Sequence, residues 1–325
     1  MSQTRKVRIG YGDKLELVDV QVPETEPPIW DADAKLNVVG KAVPRLDGAA
    51  KVTGQARYAS DVNLPGMLHG KILRNPQPHA RIISIDASRA ARLPGVKAVL
   101  TFERPDSFDA LGETDENGKP IDRSGGAAGG ASGRRNLIYA GEEVAAVAAT
   151  TPQIALDAIH LIDVRYETLP HVVDVDQAIQ PGAPQVFDGQ ENAQKMSTRK
   201  RGDLEAGFLA AEAIVEGTYR TPVALHNALE SHGSVARWEN GKLSVWASTQ
   251  GVFGFRDDLA KFFKIPTANV RVVTEHLGGG FGAKFGAGVC GVVAAMLARK
   301  AAAPVKLMLD RHEENLATGN RPNSV

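Results

Sequence analysis

The chain has 325 residues, 43% hydrophobic and 23% charged, with Lys+Arg and Asp+Glu both at 38. That length fits a folded protein of about two domains, and a formal net charge of zero gives nothing to draw it to nucleic acid or anionic lipid. No apolar run is long enough for a spanning helix, the first residues lack the apolar stretch of a secretory leader, and the single cysteine, Cys290, excludes an internal disulfide and any iron–sulfur or structural zinc site built by this chain alone. A cytoplasmic protein is expected, or a periplasmic one if exported with a signal-bearing partner.

Residues 1–45 carry Pro23, Pro27, Pro28 and Pro44 with little periodicity, and read as an extended arm. From Val52 the pattern tightens. "MLHGKILRN", "RIISIDA" and "VKAVLTF" read as strands, and "SRAARLPG" as a short helix stopped by Pro94-Gly95. The stretch 104–135 is polar, glycine-rich and aperiodic, which predicts a long surface loop. "NLIYAGEEVAAVAAT" predicts two strands joined at Gly141. "TPQIALDAIHLI" predicts a helix with Thr151 as N-cap and Pro152 in its first position. "DVRYETLP" closes an α+β domain at 46–170, and 171–200 has linker composition.

In 201–325 the order is a helix capped by Asp203 and a strand, then the hairpin "GSVARWENGKLSVWAST" turning at Asn240-Gly241. An amphipathic helix follows with Leu259, Phe262 and Phe263 on one face, then the strand "NVRVVTEHL". A glycine-rich loop, a small-residue helix at about 286–300 and the strand "PVKLMLD" complete the series. "RHEENLATGNRPNSV" reads as a polar connection, with the chain expected to be the front portion of something larger. Cys290 lies in an apolar helical stretch and reads as core packing.

The loop "HLGGGFGAKFGAGVCG" poses the functional question. Glycines permit positive φ, let a ligand approach the main chain and expose amide N–H groups, and a following helix adds partial positive charge. Such a loop suits an anionic or oxo-rich ligand; a tight turn with no ligand is the bland alternative. One functional reading is a dinucleotide site. Gly278, Gly280 and Ala283 satisfy G-x-G-x-x-A, with Asp310 ending the next strand where a ribose hydroxyl would sit. Against it, the fingerprint normally opens its domain, and here about 100 residues of hairpin and helix precede it.

The other reading is a resemblance. "GGGFGAKFGAG", "WASTQ" and "LHNALESHG" resemble the molybdopterin-binding large subunit of the xanthine dehydrogenase/aldehyde oxidase family. "KVTGQARYASDVNLPGMLHGKILRNPQPHARIISIDASRAARLPGVKAVLT" resembles that family's a/b hammerhead domain. The implied fold is α+β, a hammerhead domain at 46–170 followed by the first part of a cofactor domain at 201–325.

The resemblance implies hydroxylation of an aldehyde or an aromatic N-heterocycle with water as oxygen source. It implies a molybdenum cofactor, molybdopterin in its cytosine dinucleotide form. The 2Fe-2S clusters and FAD would sit on separate iron–sulfur and FAD subunits, and the remainder of the molybdopterin domain would be a further partner. Gln250 matches a glutamine that donates toward the apical oxygen of molybdenum, and Gly280, Phe281 and Gly282 match the loop lying against the metal, with Gly279 in the same turn. Gln250 and Phe281 would thus contact the ligands of molybdenum, not the metal itself.

Purine-oxidising relatives read G-G-G-F-G-G-K-E. Here Phe285 replaces the glutamate that bonds the purine, which leans the reading toward aldehydes, unless Phe285 packs into the core. The general base of the family is a glutamate near the end of the full-length subunit, so the resemblance assigns no catalytic base here and implies that the chain is inactive alone. Glu230, His226, His232 and His276 have no common zinc spacing and read as structural or supporting groups. A non-catalytic remnant that keeps the fold is the third possibility.

Overall fold

The computed structural model describes residues 2–9, 16–23, 33–102, 136–187, 189–193 and 198–324. The loop predicted at 104–135 lies wholly outside the described residues. Residues 1–55 and 56–325 form two units.

In the first unit, β1 (Ser2–Ile9) and β2 (Glu16–Pro23) pair antiparallel, with Val7 opposite Val18. Within the arm expected at 1–45, residues 2–9 and 16–23 are therefore two paired strands. Val18, Val20 and Val22 alternate with polar residues, which is the period of a strand. A short helix, α1 (Gly48–Val52), follows.

The second unit begins with β3 (Leu68–Arg74), β4 (Ala80–Asp86), α2 (Ser88–Arg92), β5 (Val96–Thr101), β6 (Asn136–Leu137) and β7 (Glu143–Ala149). Next come α3 (Pro152–His160), β8 (Asp163–Thr168), α4 (Val175–Ala178) and α5 (Leu204–Leu209). Thr151 caps α3 by accepting from the Ile154 N–H, and Asp203 caps α5 by accepting from Ala206. The strand expected after α5 does not form. Residues 211–220 are exposed and unpaired in any ladder, and only isolated bridges tie Thr221 to Ser324 and Ala224 to Arg321.

The remaining elements are β9 (Gly233–Glu239), β10 (Lys242–Ala247), α6 (Val252–Phe263), β11 (Val270–Val273), α7 (Gly288–Ala301), β12 (Val305–Met308) and α8 (Arg311–Ala317). Asn240 and Gly241 both have positive φ, as the predicted hairpin turn requires. The expected polar connection after β12 is a helix instead. Asp310 and Glu313 form a reciprocal capping box that starts α8, and Glu313 and Glu314 are buried beneath it.

Seven strands share one sheet in the order β11-β10-β9-β12-β3-β7-β5, and β6, β4 and β8 make a second, smaller sheet. The large sheet joins strands from both expected domains, because β12 pairs parallel with β3. β7 is buried along its whole length. Its alternate residues serve two cores: Ala146 and Ala148 belong to the one that includes α7, while Ala145, Val147 and Ala149 belong to the one that includes α3. Small residues on α7 let that helix lie close to its neighbours: a Cβ at Gly291 would stand 2.5 Å from the Phe255 ring. Cys290 packs against this core, and burial pushes its thiol up to about 12, which leaves it inert.

β9 runs antiparallel to both β10 and β12, and β11 runs parallel to β10. The start of β9 therefore meets the ends of β10, β11 and β12 at one edge of the sheet. Glu230–His232, Ser248–Gln250, the glycine loop and Asp310 all converge there.

Leu297 is fully buried in the α7 core. Leu297→Ala is expected to cost roughly 2–5 kcal/mol, measured as a lowered denaturant midpoint at unchanged slope.

Candidate functional site

The glycine loop is shaped by polar groups from the segments that flank it. Glu230 Oε2 accepts from the Gly278 N–H at 2.7 Å, and its Oε1 accepts from Ala59 N–H at 3.2 Å. Gln250 Oε1 accepts from Gly282 N–H at 3.0 Å and Lys284 N–H at 3.3 Å. The Lys284 carbonyl accepts from Gln250 N–H at 2.7 Å and from the Thr249 hydroxyl at 2.9 Å. Arg321 donates to the Phe281 carbonyl at 3.3 Å.

These contacts explain the missing side chains at two positions. A Cβ at Gly278 would stand 2.5 Å from Glu230 Cβ, and one at Gly280 would stand 2.4 Å from Gln250 Oε1. The space beside these glycines is filled by protein side chains, so the bareness there answers to Glu230 and Gln250 rather than to a ligand. The chain then turns sharply. Ala283 N–H donates to the Gly280 carbonyl at 2.9 Å, with φ of 53° at Phe281 and 93° at Gly282, values of a type I′ turn. A non-glycine residue at positive φ is uncommon and strained, and here it presents the Phe281 ring outward, 65% exposed.

Lys284 is 2% exposed, yet its ammonium is fully partnered. Nζ donates to the Glu230 carbonyl at 2.6 Å, the Ser248 hydroxyl at 2.8 Å and the Gly279 carbonyl at 2.8 Å. Burial pulls its pKa below the ordinary lysine value, and the Glu230 and Glu314 carboxylates pull it back. Each charge-assisted bond contributes about 1.5–3 kcal/mol, offsetting the cost of removing the ammonium from water. His232 holds the far end of the turn: Nδ1 lies 2.9 Å from Glu314 Oε1 and Nε2 lies 3.1 Å from the Ala283 carbonyl.

The unengaged groups point to a ligand. The N–H groups of Gly279, Gly280 and Phe281 donate to no described residue, and neither does Gln250 Nε2. Gly280 is itself buried, and a buried N–H without an acceptor is rare. Gln250 thus presents its amide nitrogen beside a row of amide donors while its carbonyl is tied to the loop. Of the expected donors, Gly282 has its N–H already taken by Gln250. Phe285 is 60% exposed and does not pack into the core.

Glu230 buttresses the loop. His276 lies against Tyr58 and the Arg57 carbonyl. His226 Nδ1 has no partner among the described residues. No cluster of three or more metal-ligating side chains occurs among the described residues. Sequence reading passed over Lys284, Ser248, Thr249 and Glu314; a lone lysine within a glycine-rich loop ahead of an apolar helix was the available signal for the first.

The dinucleotide reading fails on this geometry. The sheet is mixed and not doubly wound. The helix after the loop starts only at Gly288, so its N-terminus does not follow the glycines directly. Asp310 caps α8 and binds Lys71, leaving its carboxylate engaged.

Comparison with known proteins agrees. The family model for the aldehyde oxidase and xanthine dehydrogenase a/b hammerhead domain matches residues 53–170, and that for the molybdopterin cofactor-binding domain matches residues 186–325. The chain belongs to the xanthine dehydrogenase/aldehyde oxidase family of molybdopterin-binding large subunits. It is similar to a probable xanthine dehydrogenase subunit of Bacillus subtilis, 35% identical over 83% of this chain and 34% of that one. It is also similar to the aldehyde oxidoreductase molybdenum-binding subunit PaoC of Escherichia coli, 32% identical over 93% of this chain and 38% of that one. Among solved structures, quinoline 2-oxidoreductase from Pseudomonas putida 86 superposes with a TM-score of 0.70 at 30% identity, over 86% of this chain and 36% of that one. The chain thus spans roughly a third of the length of these family members. Its α+β architecture, hammerhead then cofactor-domain part, is the family's. No described helix is long and apolar enough to cross a membrane.

The network predicts an acid response. Burial pushes the Glu314 carboxyl up, but the His232 ring and backbone N–H pull it further down, to below its ordinary 4.5. Its ionised form therefore stabilises the fold above that pH, and the contribution is lost as pH falls through the lower folded value. Thermal melts from pH 6 to pH 3 are expected to show wild type losing stability below about pH 4.5, and Glu314→Gln losing less over the same window.

Proposed function

We propose that this chain supplies the cofactor-facing loop of a molybdenum hydroxylase that oxidises an aldehyde, or an aromatic N-heterocycle, with water as the oxygen source. The observation that carries this reading is the row of unengaged N–H groups at Gly279, Gly280 and Phe281 beside the free amide nitrogen of Gln250. Preorganised neutral donors of this kind suit an oxo-rich group, because they stabilise negative charge without moving when it arrives. The residues therefore fit a molybdenum cofactor. When bound, that cofactor supplies the two-electron oxidation that no side chain here can perform. Gln250 orients it by donating from Nε2, and Gly280 and Phe281 hold it by their amides.

Phe285 favours an apolar substrate. Its exposed ring lies at the loop and offers no hydrogen bond to a purine nitrogen. The same reading places the general base in the remainder of the molybdopterin domain, and the electron-carrying 2Fe-2S and FAD groups on separate iron–sulfur and FAD subunits. Exposed apolar side chains around the loop, Leu229, Phe281 and Phe285 among them, are the kind of surface such a polypeptide covers.

The test uses the assembled enzyme. Molybdenum is expected at about one per large subunit, and Phe285→Glu is expected to lower kcat/KM for an aromatic aldehyde roughly tenfold or more while raising it for a purine. An intact assembly without molybdenum contradicts the reading, and an unchanged substrate ratio removes the assignment of Phe285. Gln250→Ala is expected to cost about 10²–10³ in kcat, as for loss of one preorganised donor, with molybdenum content retained.

A further inference from the structure

We infer that Lys284 is a positioning residue for the cofactor loop: by gripping the Gly279 carbonyl from beneath, it aims the Gly280 N–H at the bound molybdenum group. The inference rests on the function proposed for this loop and assigns a task to a buried cation that the proposal does not use.

The Gly279–Gly280 peptide unit is planar and trans, with no cis bond in the described chain. In such a unit the C=O and N–H point in opposite directions. The Gly279 carbonyl is drawn onto Lys284 Nζ at 2.8 Å, so the Gly280 N–H faces away from the ammonium. Gly280 is buried and that N–H has no acceptor among the described residues. The next unit behaves alike: the Gly280 carbonyl is held within the turn by Ala283 N–H, which directs the Phe281 N–H outward. Two neighbouring donors thus take their direction from bonds made on the opposite side of the same peptide planes.

The ammonium can hold this geometry because it is itself immobile. Its three hydrogens meet three acceptors, from Glu230, Ser248 and Gly279, which belong to three different segments. Glu230 adds a second tie between the same segments through Gly278. A lysine serving only to fill the core would need no carbonyl from the loop. A methionine would fill the same volume and leave the Gly279–Gly280 plane free to rotate.

The experiment compares assembled wild-type enzyme with Lys284→Met and Ser248→Ala. Three readings are taken: molybdenum and pterin retained after prolonged dialysis, the Mo(V) electron paramagnetic resonance spectrum of the reduced enzyme, and the melting temperature. Lys284→Met is expected to hold the cofactor roughly tenfold more weakly, the worth of about one hydrogen bond, and to shift the Mo(V) signal. Ser248→Ala keeps the charge and both backbone acceptors; it is expected to shift the signal in the same direction by less, with assembly intact.

Retention and spectra equal to wild type in Lys284→Met overturn the inference, even if the melting temperature falls, and leave the functional reading standing. If Lys284→Met does not assemble, Ser248→Ala decides on the same two readings. A wild-type assembly that holds no molybdenum removes the functional reading and this inference with it.

Discussion

A buried ammonium and two side-chain oxygen acceptors set the shape of one seven-residue loop, and the site follows from that shape. Lys284, Glu230 and Gln250 each bond main-chain atoms of residues 278–284, so the loop is held by polar contacts from beneath and beside it. Such contacts are strongest where water is excluded, as it is around Lys284, which is buried. The fold also supplies convergence. Because β9 runs against β10 and β12, segments distant in sequence arrive at one edge of the sheet with their backbones already oriented.

Much of this is legible in the residues alone. The strands of the hammerhead stretch, the Thr151 and Asp203 caps and the Asn240-Gly241 turn each rest on a local rule that the tertiary structure leaves in force. The glycine loop stands out as a place of close approach and positive φ. What approaches two of the glycines is not legible, since Glu230 and Gln250 come from other segments and their contact is a product of topology. The helix after β12 escapes sequence reading although Asp310 and Glu313 carry the spacing of a capping box; the polar composition around them hides two glutamates that become buried through pairing. The strand expected after α5 fails for the opposite reason. Its apolar residues have strand character, but no neighbouring ladder among the described residues receives them.

The dinucleotide fingerprint shows why spacing alone misleads. Three small residues at the right intervals after a strand are compatible with two quite different sites. The arrangement around them decides: a helix that begins six residues after Gly282 and an acid engaged as a helix cap leave no place for a ribose. Glycines here serve a turn and two side-chain contacts, while the N–H groups of Gly279, Gly280 and Phe281 meet no acceptor among the described residues.

The most direct measurement of the central claim is an experimental structure of the assembled, cofactor-loaded enzyme. The account predicts an acceptor atom of the molybdenum centre within hydrogen-bond distance of the Gly280 and Phe281 nitrogens and of Gln250 Nε2, with Lys284 still on the Gly279 carbonyl. A cofactor seated elsewhere, or those amides satisfied by protein atoms alone, would contradict it.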